Sequence, residues 1–384
     1  MAFTNLKKSM INGFAIVSLL ISFYIGQSDS KEIDQISKTQ LFQENLITKI
    51  CKEHGSITAY HKNNLVGYVS TGQSQGYGGP LKVLILSDTL GNTINTELIH
   101  NTETHAYLEK LKRKEYFEQY VAKKLNDKFL IDADIVAVSG ATISSNAIAI
   151  ASREAAWQIA KHDFTMKLPD IGSEWRIGTY ELIVVALLII ATLAVYLKNK
   201  KLRYFTLFSS FIIIGFIINA SLSLSSISRV LLGFIPDIRH HLIWWILMFG
   251  NLIAILVLGK NIYCNALCPF HATQILLNKI SGINFKIAPS FSKYLIQSPK
   301  YLLWFSLMII FISKNPTIAS YEPFAMFFSL DGIGIQWYIL PAALIGSLFM
   351  SDFFCHYFCP VGASFTLLVT TRQKFIKQIK KNHE

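Results

Sequence analysis

Apolar residues follow two regimes along the chain. From residue 27 to residue 178 they come in short runs broken by charges and turn residues, while on either side they form long stretches with few charges. A hydrocarbon core about 30 Å thick asks for about 20 apolar residues per helical crossing. The stretches of that kind are 10–26, 179–197, 204–223, 242–259, 301–313 and 335–351. Lys7 and Lys8 ahead of the first also fit a signal peptide. Gly26-Gln27-Ser28-Asp29-Ser30 offers no small-x-small cleavage site, so an uncleaved anchor is the expectation. Asn219 and Asn251 fall inside spans and each demands a hydrogen-bond partner, and Glu181 falls at a span end, where an interfacial position suits it.

The middle regime reads as α+β. Ile33 to Ile57 is predicted helical; Ile57–Tyr60, Leu65–Val69 and Leu81–Leu86 are strands, with the Gly-rich loop Gly76-Tyr77-Gly78-Gly79-Pro80 before the last. Asp88 to Asn92 is a turn into a partner strand, Thr93 to His100. A solvated helix over Glu103 to Leu125 follows, then a strand from Ala133 to Val138 and a helix from Ser145 to His162. The predicted fold is an α+β external domain joined to an α-helical transmembrane bundle of about six spans. Its divisions are an anchor at 1–26, the external domain at 27–178, the membrane part at 179–371 and a basic tail at 372–384.

Composition supports this division. Hydrophobic content of 52% and a mean hydropathy of +0.38 fit neither a secreted nor a cytosolic globular chain. The net charge of +12 invites a nucleic-acid reading until it is located: residues 27–178 hold 17 Lys/Arg against 18 Asp/Glu. With Lys7 and Lys8 inside, alternate crossings leave 16 basic residues on the cytoplasmic side and three, Arg229, Arg239 and Lys314, opposite. The positive-inside rule therefore accounts for the excess. Nucleic acid is not an expected partner; membrane lipid is. Residues 27–178 are predicted outside, at a bacterial cytoplasmic (inner) membrane.

Four of the five cysteines form two copies of Cys-x-x-x-Cys-Pro, Cys264 to Pro269 and Cys355 to Pro360. Cysteines four apart on a helical turn point the same way, and the proline marks a chain break. Two such pincers suit a tetrahedral sulfur site for zinc, iron or an iron–sulfur cluster; disulfides or ordinary buried thiols are the alternative. Placement on the reducing cytoplasmic side disfavours disulfides. His271 and His356 lie beside the motifs as hydrogen-bond donors to a sulfur, as alternative ligands or, the favoured reading, as plain helix-end histidines. Cys51 stands alone and reads as a buried apolar thiol.

Ser139-Gly140-Ala141-Thr142-Ile143-Ser144-Ser145 places small residues between a predicted strand and a helix start. Free backbone N–H groups there can seat a phosphate, or the hydroxyls can simply cap the helix.

Ser139-Gly140-Ala141-Thr142 resembles the flavinylation motif of external FMN-binding domains, found in sodium-pumping quinone reductase, Rnf and NosR-type proteins. The resemblance implies FMN attached covalently through a phosphoester to Thr142 by a dedicated flavin transferase, with Ser139, Gly140, Ala141, Gly79, Glu103 and Thr104 around the flavin. The second half, with its paired cysteine motifs and Tyr321-Glu322-Pro323-Phe324, is similar to the NosR/NirI family and to membrane flavoproteins associated with reductive dehalogenases. That likeness implies an iron–sulfur cluster, expected as 4Fe-4S, held by Cys264, Cys268, Cys355 and Cys359. Two positions depart from the pattern: Val136 stands where an aspartate is usual, with Asp134 two residues earlier, and His105-Ala106 replaces Pro-Gly. The expectation is a chain closer to the shorter, dehalogenase-associated type, without the C-terminal ferredoxin-like segment of NosR-type proteins.

The function expected from this resemblance is membrane electron transfer, from the quinone pool or a cytoplasmic donor to an extracytoplasmic reductase or carrier. The membrane is too wide for one efficient electron jump, so a quinone or a further cofactor-bearing subunit is expected between. Two other classes compete: a redox-sensing regulator, and an ion-translocating redox subunit of Rnf type. The scarcity of ionisable residues within the spans counts against the latter.

Overall fold

The structure, a computed structural model, describes residues 2–26, 49–53, 56–62, 64–76, 78–103, 105–172, 178–239, 241–285, 292, 295–319, 321–329 and 335–383. The chain forms two compact units. One comprises residues 27–175 with 229–237; the other comprises 1–26, 176–228 and 238–384.

The first unit is built on a five-stranded antiparallel sheet, β1 Lys49–Glu53, β2 Ser56–His61, β3 Asn64–Gln75, β4 Pro80–Ser87 and β5 Thr93–Asn101, laid down in chain order. Side chains of β4 are buried on both faces, with Leu81, Val83, Leu84, Ile85 and Leu86 all within 1% of full burial. An apolar run of this kind is what a central strand covered on both faces requires. The last residues of β3 run beyond β2, which stops pairing at Val69. Helix α3, Thr142–His162, covers that open edge. Gln73 N–H donates to Glu154 Oε2 (2.7 Å), Ser74 Oγ to the Ala147 carbonyl (2.6 Å) and Ser70 Oγ to Gln158 Oε1 (2.7 Å). Alanines at 147, 151 and 155 make the approach possible, and Gly72 makes it close, since a Cβ there would stand 2.0 Å from the Ala151 carbonyl oxygen.

Three sequence expectations fail in this unit. The helix expected to run to Ile57 is instead β1 and the start of β2 from Lys49 onward; residues 33–48 lie outside the described residues. The solvated helix over Glu103–Leu125 is only α2, His105–Arg113, followed by a 3-10 turn at Tyr116–Tyr120. Tyr116 and Tyr120 there are fully buried, and aromatic packing takes the place of a solvated face. The strand expected over Ala133–Val138 is a loop with one isolated bridge, Ile131 to Ile135. Asp134 is the reason: its carboxylate accepts from Leu130 N–H (2.6 Å) and Phe129 N–H (3.0 Å) and pairs with Lys123 (3.3 Å). A carboxylate that gathers its own backbone in this way folds the chain into a turn. The side chain of Cys51, on β1, lies outside the described residues.

The second unit is helical: α1 Ala2–Ile25, α4 Thr179–Tyr196, α5 Lys200–Ser210 continued by a π-helical turn Phe211–Ile217, the part of α6 Leu224–Leu231 up to Ser228, and α7 Leu242–Leu258. After a second π-helical turn, Tyr263–Leu267, come α8 Pro269–Ser281, α9 Ser298–Ser313, α10 Phe324–Ser329, α11 Gln336–Phe349, α12 Phe353–Tyr357 and α13 Pro360–His383. Its surface departs from that of a water-soluble protein. Thr206, Ser210, Asn251, Ser306 and Ser347 are buried, whereas Leu182, Ile189, Ile253, Leu256, Phe305 and Ile345 are more than half exposed. Close helix approaches occur at small residues, as at Gly250 against Leu188. α1 packs on α9, with Trp304 Nε1 donating to Ser18 Oγ (3.1 Å) and Phe23 edge-on to Phe311.

Among the described residues one helix, Thr179–Tyr196, is long and apolar enough to cross a membrane by itself; 13–25, 242–258, 298–313 and 336–349 are shorter apolar helices. At 1.5 Å per residue the 17 residues of α7 reach about 26 Å, just short of a hydrocarbon core. The expected span 204–223 is helical only to Ile217, and Asn219 takes a left-handed turn conformation (φ 52°). Glu181 caps α4 by accepting from Gly178 N–H (2.8 Å).

Candidate functional site

Two sites emerge, one in each unit. In the sheet unit, Glu103 is the organising residue. It is 5% exposed, and its Oε2 accepts from Gly78 N–H (3.2 Å) and from Ser144 Oγ (3.0 Å). One carboxyl group thus joins the Gly-rich loop to the first turn of α3. Gly76 is required for this, because a Cβ would stand 1.6 Å from Glu103 Oε1. The loop closes on itself through Gly76 N–H to the Gly79 carbonyl (2.8 Å), and Thr102 fastens it to β5 by donating from N–H and Oγ1 to the Pro80 carbonyl. Thr104, expected beside Glu103, lies outside the described residues.

The Ser139–Ser145 segment makes a tight turn. Gly140 holds φ +75°, a conformation that favours glycine, and Ala141 N–H donates to the Val138 carbonyl (2.9 Å). Ser145 Oγ accepts from Val138 N–H (3.1 Å) and donates to the Ala141 carbonyl (3.0 Å). Tyr116 OH, itself hydrogen-bonded by Tyr120 OH, donates to the Ser145 carbonyl from below. Burial pushes both phenols well above their ordinary pKa, so they stay neutral donors. Gln119 grips the approach by taking Val136 N–H and donating to its carbonyl. The helix begins at Thr142, three residues earlier than expected, with Ala141 at the N-cap and no side-chain cap. The exposed Thr142 hydroxyl therefore sits on a first turn whose N–H groups no side chain caps, a setting that accepts phosphate.

In the helical unit, Cys264, Cys268, Cys355 and Cys359 line one cavity of about 560 Å³. All four are free thiols, so neither motif is a disulfide. Among the described residues no group of three or more His, Cys, Asp or Glu is placed to hold a single ion. This donor set fits a multi-iron cluster.

The local geometry differs from the expected single helical turn. Cys264 lies in the π-helical turn Tyr263–Leu267 and Cys268 is the N-cap of α8, with Pro269 starting that helix. The second motif repeats the scheme, Cys355 in α12 and Cys359 just before Pro360, the first residue of α13. Proline is favoured at the first helical position, where its missing N–H costs nothing. The motif's proline therefore opens a helix whose N–H groups face the sulfur, as Gly362 N–H does toward Cys359 Sγ (3.3 Å). Burial pushes the Cys268 thiol up to about 11, opposed by hydrogen bonds from the backbones of His271 and Phe270. It pushes Cys264 up to about 12. Thiols of this kind ionise when iron binds them.

Side chains tie the motifs together. His271 Nδ1 meets the Cys264 carbonyl at 2.5 Å and Nε2 meets Asp352 Oδ1 at 2.8 Å, so it bridges the two motifs through backbone and carboxylate, not through sulfur. Burial raises the Asp352 pKa, but the hydrogen bond and charge of His271, with Arg203 and His356, outweigh it and hold the group below its ordinary value. His356 is exposed and lies edge-on to Tyr357. Asn251 finds its partner in Tyr263 N–H (2.9 Å), and Tyr263 OH accepts from Leu222 N–H (2.8 Å). Gln274, which sequence reasoning passed over, reaches Cys355 Sγ; nothing in the local pattern of its helix marked it.

Comparison with known proteins matches the stretches of sequence that hold both sites. An FMN-binding domain model covers residues 76–156, and a 4Fe-4S binding domain model covers 241–288 and 337–377. The first stretch holds the Gly-rich loop, Glu103 and Thr142, and the second holds all four cysteines. These matches define the class: a protein with an FMN-binding domain and an iron–sulfur domain in one chain.

Among curated proteins, the chain is 25% identical over 198 residues to "Regulatory protein NosR" of Stutzerimonas stutzeri, covering 48% of this chain and 27% of that protein. It is 26% identical over 185 residues to "Protein NirI" of Paracoccus denitrificans, covering 44% and 27%. It is 29% identical over 141 residues to NosR of Pseudomonas aeruginosa, covering 34% and 19%. The matched region is thus about a quarter of these relatives' length or less. The chain is thus similar to NosR and NirI and carries stretches that match FMN-binding and 4Fe-4S domain models.

Proposed function

We propose that this protein is a membrane electron-transfer flavoprotein, carrying electrons from the quinone pool or a cytoplasmic donor to an extracytoplasmic reductase or carrier. The observation that carries this reading is the pair of sites in one chain: Glu103 drawing the Gly-rich loop to the Thr142 turn, and four free thiols from two distant motifs around one cavity. FMN bound at the first would exchange one or two electrons and a 4Fe-4S cluster at the second would exchange one. In this reading Thr142 takes the phosphoester from a flavin transferase, with Ser139, Gly140, Ala141, Gly79, Glu103 and Thr104 around the flavin. Cys264, Cys268, Cys355 and Cys359 ligate the cluster, Cys268 and Cys359 from helix N-caps whose N–H groups offset thiolate charge.

The apolar surface of the helical unit supports a lipid surrounding, since many large apolar side chains face out while serine, threonine and asparagine pack inward among buried apolar ones. About six crossings, the first an uncleaved anchor packed on α9, follow from the sequence pattern, and the distribution of Lys and Arg supports placing the cysteine motifs inside and residues 27–178 outside. A quinone or a further cofactor-bearing subunit bridges the remaining distance. Purified protein that reduces and reoxidises its flavin at a catalytic rate with quinol and a terminal acceptor would support transfer. Two of the relatives carry the printed name "Regulatory protein", which favours a redox-sensing regulator as the second reading. Slow, stoichiometric redox change with altered partner affinity would favour that one.

A further inference from the structure

We propose that Gln274 is a positioning residue of the cysteine site: its amide fixes the second motif against the helix of the first and supplies an N–H···S hydrogen bond that tunes the cluster's potential. The inference rests on the cluster reading of the four cysteines. Gln274 is fully buried on α8, six residues after Cys268. Its Oε1 accepts from Phe354 N–H at 2.8 Å and from Cys355 N–H at 3.4 Å. Its Nε2 lies 2.9 Å from Cys355 Sγ and 3.5 Å from the Phe270 carbonyl.

The orientation of the amide is fixed by chemistry. Phe354 and Cys355 present N–H donors, which require the oxygen; the NH2 group is then directed at the sulfur. One side chain of the first motif's helix thus holds both the backbone and the thiol of a cysteine 81 residues away. A buried glutamine with only apolar neighbours would be costly, and here the second motif satisfies both ends of the amide.

Reduction adds negative charge to a cluster, and part of that charge appears on the ligating sulfurs. A donor aimed at one sulfur stabilises the reduced state and raises the potential. Gln274→Met keeps length and apolar volume and removes the donor. Anaerobic full-length protein in detergent, titrated reductively under EPR, should show the variant's cluster harder to reduce by about tenfold in the one-electron equilibrium, or about 59 mV. The titration reads only loaded molecules, so partial loss of iron leaves the comparison intact. A second measurement needs no variant: wild-type protein labelled with side-chain ¹⁵N glutamine should show a ¹⁵N hyperfine coupling to the reduced cluster.

A loaded Gln274→Met protein at the wild-type potential, or a labelled wild type with no ¹⁵N coupling, would overturn this inference alone. Wild-type protein holding neither iron nor labile sulfide would overturn the cluster reading, and this inference with it.

Discussion

Replacing Gly76 by alanine tests whether Glu103 organises the FMN unit. The added Cβ would lie 1.6 Å from Glu103 Oε1, 2.8 Å from its Cδ and 3.2 Å from Leu81 Cδ2. Ordinary heavy-atom contact needs about 3.5 Å, so the carboxyl group must retreat by roughly 2 Å. That movement takes Oε2 out of reach of both Gly78 N–H and Ser144 Oγ, now at 3.2 and 3.0 Å. Hydrogen bonds to a charged group contribute about 1.5–3 kcal/mol each. Because a displaced carboxylate regains some water, the lower end of the pair, about 3 kcal/mol, is the expected loss. With tenfold per 1.4 kcal/mol, amide exchange at Gly78 and the first turn of α3 should quicken about a hundredfold. Hydrogen-exchange mass spectrometry on the full chain reads this directly. Gly13→Ala, where a Cβ meets nothing within 4 Å, serves as the control. Unchanged exchange in both segments of folded Gly76→Ala protein would refute the role given to Glu103.

Thr142→Ala should abolish a mass increment of one FMN in protein matured with a flavin transferase, while intact folding is confirmed by circular dichroism. Gly140→Ala forces a side chain into φ +75° and toward Lys110 Nζ, 2.7 Å from the new Cβ; a cost of about 1–2 kcal/mol should lower the thermal midpoint and the flavin content together. Cys264→Ser and Cys355→Ser should each lower iron and labile sulfide, because both motifs line one cavity; loss from one motif alone would break the shared-site reading. Asp352 has a folded pKa below its ordinary 3.8, so its contribution is present above that value and lost as pH falls through the folded pKa. Hydrogen exchange around residues 353–359 should accordingly rise below about pH 4 in wild type, whereas Asp352→Asn should exchange faster at neutral pH and show no such acid step.

Much of the candidate chemistry was legible because it lies in short contiguous motifs. Cysteine spacing, the Gly-rich loop and the Ser139–Thr142 turn each carry their meaning within about six residues. The sheet was legible where apolar runs were bounded by turn residues, as in Leu81–Leu86. The reading failed where a single side chain overrides local pattern. Asp134 folds a β-like stretch into a loop, and buried Tyr116 and Tyr120 turn a charged segment into core. The proline after each cysteine pair was read as a break, but it opens the next helix and leaves the preceding cysteine at the N-cap. The contacts that assemble each site were out of reach of periodicity, because they join residues far apart in the chain: Glu103 to Ser144, His271 to Asp352, Gln274 to Cys355. Only folding makes them neighbours.

The central claim, that one chain builds a multi-iron site from two separated cysteine pairs, is tested most directly by metal and acid-labile sulfide analysis of anaerobically purified protein. Four iron and four sulfide per chain are expected. Stoichiometric zinc, or iron without sulfide, would contradict it.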